Sequence, residues 1–184
     1  MDLTRVEDVR TALRLAGIKP NKGLGQHFLV DKPSLEAIMG AASVTKADTV
    51  MEIGPGLGVM TRPLAEMSGH LVAVETDHVL AEILRRDAPE NLTVAEQDIL
   101  EFDLASMPKG YKVIANIPYY LTSKIFRLLI ESTNAPSMNE VLIQKEVPER
   151  IKDRTGQVPN VALSGPRCGP PADGLGFSGR QGLS

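Results

Sequence analysis

The chain has 184 residues, 42% hydrophobic and 23% charged, with a formal net charge of −3, which suits one ordinary globular domain with room for a terminal appendage. Three Tyr, four Phe and no Trp exclude a nucleic-acid binder built on many stacking platforms, and one Cys with three His excludes a disulfide framework, a multi-cysteine zinc site or a histidine metal cluster. A charged amino terminus (MDLTRVEDVR) and the lack of a long apolar run give no signal peptide or membrane span, so the expectation is a cytoplasmic monomer with no metal and no membrane partner.

In chain order, residues 4–17 read as a helix, with Val6, Val9, Leu13 and Ala16 at helical spacing and Gly17 to stop it. Lys19 to Asp31, KPNKGLGQHFLVD, is a basic loop punctuated by Pro20, Gly23 and Gly25. A helix is expected from Lys32 to Ala42, capped by Asp31, and a strand at Thr49–Ile53. Then come a glycine turn, a helix near Thr61–Met67, a strand Leu71–Glu75, a helix His78–Arg86 and a strand Leu92–Asp98. Lys112–Asn116 is a fourth strand, followed by a Pro-Tyr turn, a helix Ser123–Glu131, a fifth strand Glu140–Gln144 and a short helix Glu146–Asp153. Strands alternating with helices of about ten residues imply an α/β domain with a doubly wound, mostly parallel sheet. From Thr155 to Ser184, eleven of thirty residues are Gly or Pro, so that stretch reads as irregular or disordered, with at best one weak strand within Val158–Leu163. The expected organisation is therefore 1–30, an amino-terminal helix and basic lid loop; 31–154, a Rossmann-like domain; and 155–184, a tail.

In a doubly wound sheet, ligands sit beyond the carboxyl ends of the strands. Four features converge there. The first is E-x-G-x-G-x-G, Glu52 to Gly58, in which the third glycine comes one position earlier than in a dinucleotide fingerprint. This variant resembles the S-adenosylmethionine turn of doubly wound methyltransferases; a cofactor without a pyrophosphate needs room for an amino-acid tail and a sulfonium beside the backbone, not a phosphate cradle. A plain structural turn or another nucleotide cofactor is the competing reading. The second is Glu75 at the end of strand two, able to accept both hydroxyls of a ribose, against a simple solvated strand-end charge. Asp77 reads rather as the cap of the next helix. The third is Asp98, which could accept a hydrogen bond from an adenine amino group or merely cap a turn.

The fourth is Asn116-Ile117-Pro118-Tyr119. An exocyclic amine conjugated to a base ring is a poor nucleophile. The Asn116 side-chain carbonyl and the Pro118 backbone carbonyl could accept its N–H groups and aim its lone pair at a methyl group, Pro118 holding a fixed φ and Tyr119 offering a face for an unstacked base. Catalysis would then be positioning and electrostatics without a metal or covalent nucleophile. A Pro-Tyr turn after a strand is the plainer alternative. Residues 1–30 and 151–184 each carry net +2 and residues 31–150 carry −7, so RNA contact would need local patches, for which Lys19, Lys22, Lys145, Arg150, Lys152 and Arg154 are candidates that could equally be solvated charges.

Taken together, GLGQHFL (23–29), EIGPGLG (52–58), VET-D (74–77), QD (97–98), NIPYY (116–120) and IQKEVPERI (143–151) resemble, in order and spacing, the ribosomal RNA adenine dimethyltransferases over roughly residues 15–153. The resemblance implies a class I methyltransferase domain and S-adenosylmethionine-dependent N6-dimethylation of two adjacent adenosines near the 3′ end of small-subunit (16S) rRNA, with the small ribosomal subunit as partner. It implies cofactor contacts at His27 (where many members have Asn), Leu29, Gly54, Glu75, Asp98 and Asn116, and target-base handling by Asn116, Pro118 and Tyr119. Family members continue with further strands and a small helical RNA-contacting domain that are not legible here, so a truncated or frameshifted frame, lacking the last strands and of doubtful activity, is the expectation. The alternatives are a 23S rRNA adenine methyltransferase, away from which the GLGQHFL loop leans, a non-catalytic RNA- or ribosome-binding relative, and a fragment without function.

Overall fold

The computed structural model describes residues 2–18, 32–116, 119–142 and 161–162. They form α1 (Val6–Leu15), α2 (Lys32–Ala42), β1 (Thr49–Ile53), α3 (Thr61–Met67), β2 (His70–Glu75), α4 (His78–Arg86), β3 (Leu92–Glu96), β4 (Lys112–Asn116), α5 (Tyr119–Glu131), β5 (Met138–Leu142) and a two-residue β6 (Val161–Ala162), with 3-10 turns at Ile99–Glu101 and Leu104–Ser106. The sheet has six strands in the order β3-β2-β1-β4-β5-β6, and every pairing is parallel. The chain enters at the centre, winds outward to β3, and returns across β1 to build the other half. The point where the winding reverses lies between β1 and β4, where a doubly wound sheet opens its ligand crevice.

Strand periodicity explains why both faces are covered. Successive side chains on a strand point to opposite faces. Met51 and Ile53 of β1, Val74 of β2 and Val113 and Ala115 of β4 pack on one side with Ile125, Phe126 and Leu129 of α5. Ile99, Leu104 and Met107, from the 3-10 turns and just after, complete that layer. Val50, Leu71 and Ile114 point the other way, against Ile38 and Ala42 of α2 and Leu64 and Ala65 of α3. A third cluster joins Val9 and Leu13 of α1 to Leu80 of α4 and to Leu57, which lies in the glycine turn. Near the amino end of the sheet, Lys112 Nζ donates to Asp48 Oδ2 at 3.0 Å and to the Ser43 carbonyl at 2.8 Å, and the Lys112 bond holds the Asp48 carboxyl below its usual range against the opposing effect of burial.

The expected elements within the described residues are present, with shifted ends. β3 stops at Glu96, two residues short of expectation, because Asp98 turns to cap the following 3-10 turn: its Oδ1 accepts the Leu100 N–H at 2.9 Å. α5 begins at Tyr119 rather than Ser123, so Tyr119 of the expected Pro-Tyr turn is helical, while Pro118 lies outside the described residues. β5 spans 138–142 instead of 140–144, and β6 falls where at best a weak strand was expected. The expected Glu146–Asp153 helix, the Asp31 cap and the 19–31 loop lie outside the described residues.

Candidate active site

The site grows from the carboxyl end of β1. Gly54, Gly56 and Gly58 have φ of +67°, +59° and +84°, a region where a side chain is strained. At Gly58 a Cβ would also meet Leu84 Cδ2 at 2.8 Å. At Gly54 it would lie 3.5 Å from the Asn116 carbonyl oxygen, so the turn and the end of β4 face each other across the reversal point. The Gly54 N–H donates to the Val74 carbonyl and the Gly58 N–H to the Pro55 carbonyl, each at 3.0 Å. Leu57, 6% exposed, is clamped by α1 and α4. The turn is thus tied to β2 through Gly54, closed on itself through Gly58 and packed against α1 and α4 through Leu57.

Glu75 ends β2 and is tied to this turn. Its Oε2 accepts the Gly56 N–H and its Oε1 the Asp77 N–H, each at 3.0 Å. Burial pushes its carboxyl up, while these backbone donors oppose the shift. A carboxylate has about four lone-pair sites; one donor on each oxygen orients the group and leaves each oxygen able to accept another. That arrangement suits a ligand with two adjacent hydroxyls. Asp77 serves α4 instead: its Oδ1 accepts from Val79 and Leu80 at 2.9 and 3.1 Å, the capping role read from the sequence. Nearby, Glu96 takes Arg85 at 2.7 Å and His78 at 2.8 Å, and the Arg85 contact leads in holding its carboxyl below the usual range.

Of the residues singled out in the sequence, Gly54, Glu75 and Asn116 close strands or follow them directly on the carboxyl side, and Asp98 stands two residues beyond β3. The described residues bring these four to one edge of the sheet. Tyr119 is the first residue of α5, with its side chain outside the described set; His27, Leu29 and Pro118 lie outside it altogether. No group of three or more His, Cys, Asp or Glu suited to a metal occurs among the described residues, and no helix among them is long and apolar enough to cross a membrane.

One site residue carries more than the sequence reading gave it. Glu52, the acid of the glycine motif, is 0% exposed, and neither oxygen has a hydrogen-bond partner among the described residues. Burial pushes its carboxyl up to about 8; the nearby Thr61 hydroxyl opposes this without the geometry of a formed bond, and the Glu75 charge adds to it. The sequence signal was an acid inside an otherwise apolar strand, VMEI. An orphaned buried acid just before the turn and a carboxylate pre-oriented by the turn's own backbone fit a ligand that bears both a positive charge and paired hydroxyls.

Comparison with known proteins agrees with this architecture. Residues 17–164 match the family described as "Ribosomal RNA adenine dimethylase". The "Ribosomal RNA small subunit methyltransferase A" of Deinococcus radiodurans is 41% identical over 150 residues, 81% of this chain and 51% of that protein. Among solved structures, the 23S rRNA methyltransferase ErmE aligns with a TM-score of 0.52 at 29% identity over 57% of this chain and 43% of that one. A dimethyladenosine transferase from Plasmodium falciparum aligns with a TM-score of 0.51 at 27% identity, over 58% of this chain and 39% of that one. The chain spans about half the length of the small-subunit enzymes it matches. With a family match that runs over most of its residues, the chain belongs to the ribosomal RNA adenine dimethylase family.

Proposed function

We propose that this chain binds S-adenosylmethionine and carries the catalytic residues for N6-dimethylation of two adjacent adenosines near the 3′ end of 16S rRNA, acting on the small ribosomal subunit in the cytoplasm. The observation that carries the reading is the Glu75 carboxylate, fixed by the backbone N–H groups of Gly56 and Asp77 beside the glycine turn. The bound donor would supply an electrophilic methyl group. Glu75 would accept its two ribose hydroxyls, and Gly54 would let the backbone come close to its amino-acid tail. Asp98 caps its turn through Oδ1, which leaves Oδ2 for the adenine amino group. His27 and Leu29 would close over it from the 19–31 loop.

At the end of β4, the Asn116 side-chain carbonyl and the Pro118 backbone carbonyl would accept the N–H groups of the target amine and turn its lone pair toward the methyl carbon. Tyr119 would stack on the unstacked base. Asn116 backbone lies against Gly54, which supports placing acceptor and donor chemistry within one crevice. The division into an amino-terminal lid over 1–30, a methyltransferase domain over 31–154 and a tail over 155–184 is part of the same proposal, as is a monomeric working state.

The test is methyl transfer from labelled S-adenosylmethionine to purified ribosomal subunits. Dimethyladenosine in the small subunit is expected, with Asn116→Ala lowering the rate by about 100-fold or more, as loss of one positioned polar group does at an acyl-transfer site. Label in the large subunit instead would assign the chain to 23S rRNA. Subunit binding that survives Asn116→Ala and Glu75→Ala, with no transfer by the parent chain, would make it a binding platform and reject the enzyme reading.

A further inference from the structure

α1 carries a charge asymmetry that the chemistry of the site does not use. Its acids, Glu7 and Asp8, lie in its first turn, where the helix dipole favours them. From Val9 to Val30 the chain has four Lys and Arg and no Asp or Glu, whereas residues 31–150 carry −7. Lys19 and Lys22 of that run lie outside the described residues; Arg10 and Arg14 stand on α1, and both are exposed. Arg5, Arg62, Arg85 and Arg127 each pair with an acid. Arg10 and Arg14 have neither an ion pair nor a hydrogen bond among the described residues.

The helix that presents them is seated against the glycine turn. Val9 and Leu13 pack on Leu57, which lies between Gly56 and Gly58, and on Leu80 of α4. Arg10 and Arg14 each follow one of these anchors, so each is rotated by about 100° from the packed face. At i, i+4 spacing their Cβ atoms lie about 5–6 Å apart on one side of the helix. Two planar guanidinium forks side by side suit successive phosphates of one nucleic-acid strand. A protein partner would instead meet a contiguous apolar patch, and the large apolar side chains that α1 exposes, Val6 and Leu15, are its first and last residues. Arg14 lies in the last turn of α1, where a cation also complements the helix dipole; Arg10, one turn earlier, has no such role.

We propose that the second half of α1 is a contact surface for the RNA backbone, with Arg10 and Arg14 each taking one phosphate of the strand that enters the crevice beside the glycine turn. This rests on the rRNA-substrate reading above. The acidic body repels phosphate on average, so the strand is held where the acid-free run begins. The contact is to backbone and carries no sequence information: it adds affinity and orientation, while the end of β4 handles the base.

The test is binding of the full chain to a synthetic RNA hairpin with two adjacent adenosines in its loop, and to purified small ribosomal subunits, at fixed magnesium and with potassium chloride raised from about 50 to about 200 mM. Each phosphate contact on a single strand contributes about 0.7 to the slope of log affinity against log salt. The double variant Arg10→Gln, Arg14→Gln should therefore lose about 1.4 from the slope, binding about 60-fold more weakly than the parent at the lower salt and about 10-fold at the higher. Arg10→Lys with Arg14→Lys keeps both charges and should keep the slope. Lys109→Gln removes an exposed cation just before β4, at the amino end of the sheet, and should leave the slope as it is. All variants should bind S-adenosylmethionine as the parent does, which shows the fold and the cofactor turn intact. A double variant with the parent's slope, or a loss matched by Lys109→Gln, overturns the proposal and leaves the rRNA-substrate reading standing. A loss on subunits with none on the hairpin assigns α1 to a ribosomal protein and also overturns it. No binding of the parent chain to hairpin or subunit overturns both.

Discussion

Raising the pH should weaken this fold through one residue. Glu52 is fully buried, and burial moves its carboxyl from 4.5 to about 8, with Thr61 opposing and Glu75 adding to the shift. The unfolded chain loses this proton near 4.5 and the folded protein keeps it until about 8. Between those values the folded state holds a proton that the unfolded state has released. The stability that comes from the neutral form is therefore complete below the lower value and drains away as pH rises to the upper one. Integrating at about 1.4 kcal/mol per pH unit, the loss from this group between pH 6 and pH 9 is about 2.6 kcal/mol. Urea unfolding of the parent chain and of Glu52→Gln at pH 6 and pH 9 isolates it, because other titrating groups cancel in the difference between the two proteins. The variant should gain on the parent by about 2–3 kcal/mol over that interval. Identical pH dependence in the two proteins would refute the reasoning, since it would mean that Glu52 is already ionised in the fold at neutral pH.

Two further substitutions test the frame around the site. Gly58→Ala forces a side chain onto a φ of +84° with its Cβ 2.8 Å from Leu84 Cδ2; a stability loss of about 1–3 kcal/mol is expected in a thermal melt, and pairing it with Leu84→Ala should recover the contact part of the loss but not the backbone part. Asp77→Ala removes the two hydrogen bonds that cap α4 and should cost about 1 kcal/mol, read as a shift of about 2–4 °C in the melting midpoint. An unchanged midpoint in either variant would count against the corresponding contact.

Much of this architecture is written in local chemistry. The glycine turn, the short apolar strands β1, β2 and β4, and the Asp77 cap each follow from a few adjacent residues and are found close to where those residues place them. Where the sequence misleads, a local signal is weak or ambiguous. Asp98 can extend a strand or cap a turn, and it caps. The 3-10 turns at Ile99–Glu101 and Leu104–Ser106 are too short to show periodicity, yet they deliver Ile99 and Leu104 to the core; the paired signals D-I-L-E and D-L-A-S, each an Asp whose Oδ1 accepts the N–H two residues on, are the trace they leave. The start of α5 is hidden because Pro118 reads equally as a turn or as the residue before a helix. At the site, the glycine spacing and the strand-end acids mark the crevice, but the roles of Glu75 and Glu52 separate only in three dimensions. Glu75 ends β2 and meets two backbone donors, whereas Glu52 lies inside β1 and meets none among the described residues.

The central claim is that this turn and Glu75 form a working cofactor site, and its most direct test is the affinity of the purified chain for S-adenosylmethionine, measured by calorimetry beside Glu75→Ala. The parent chain should bind with one site. Glu75→Ala, shown to be folded by its circular dichroism, should bind at least about 100-fold more weakly, because it loses two hydrogen bonds from hydroxyls to a charged acceptor. No binding by the parent chain, or equal affinity in the two proteins, would contradict the account.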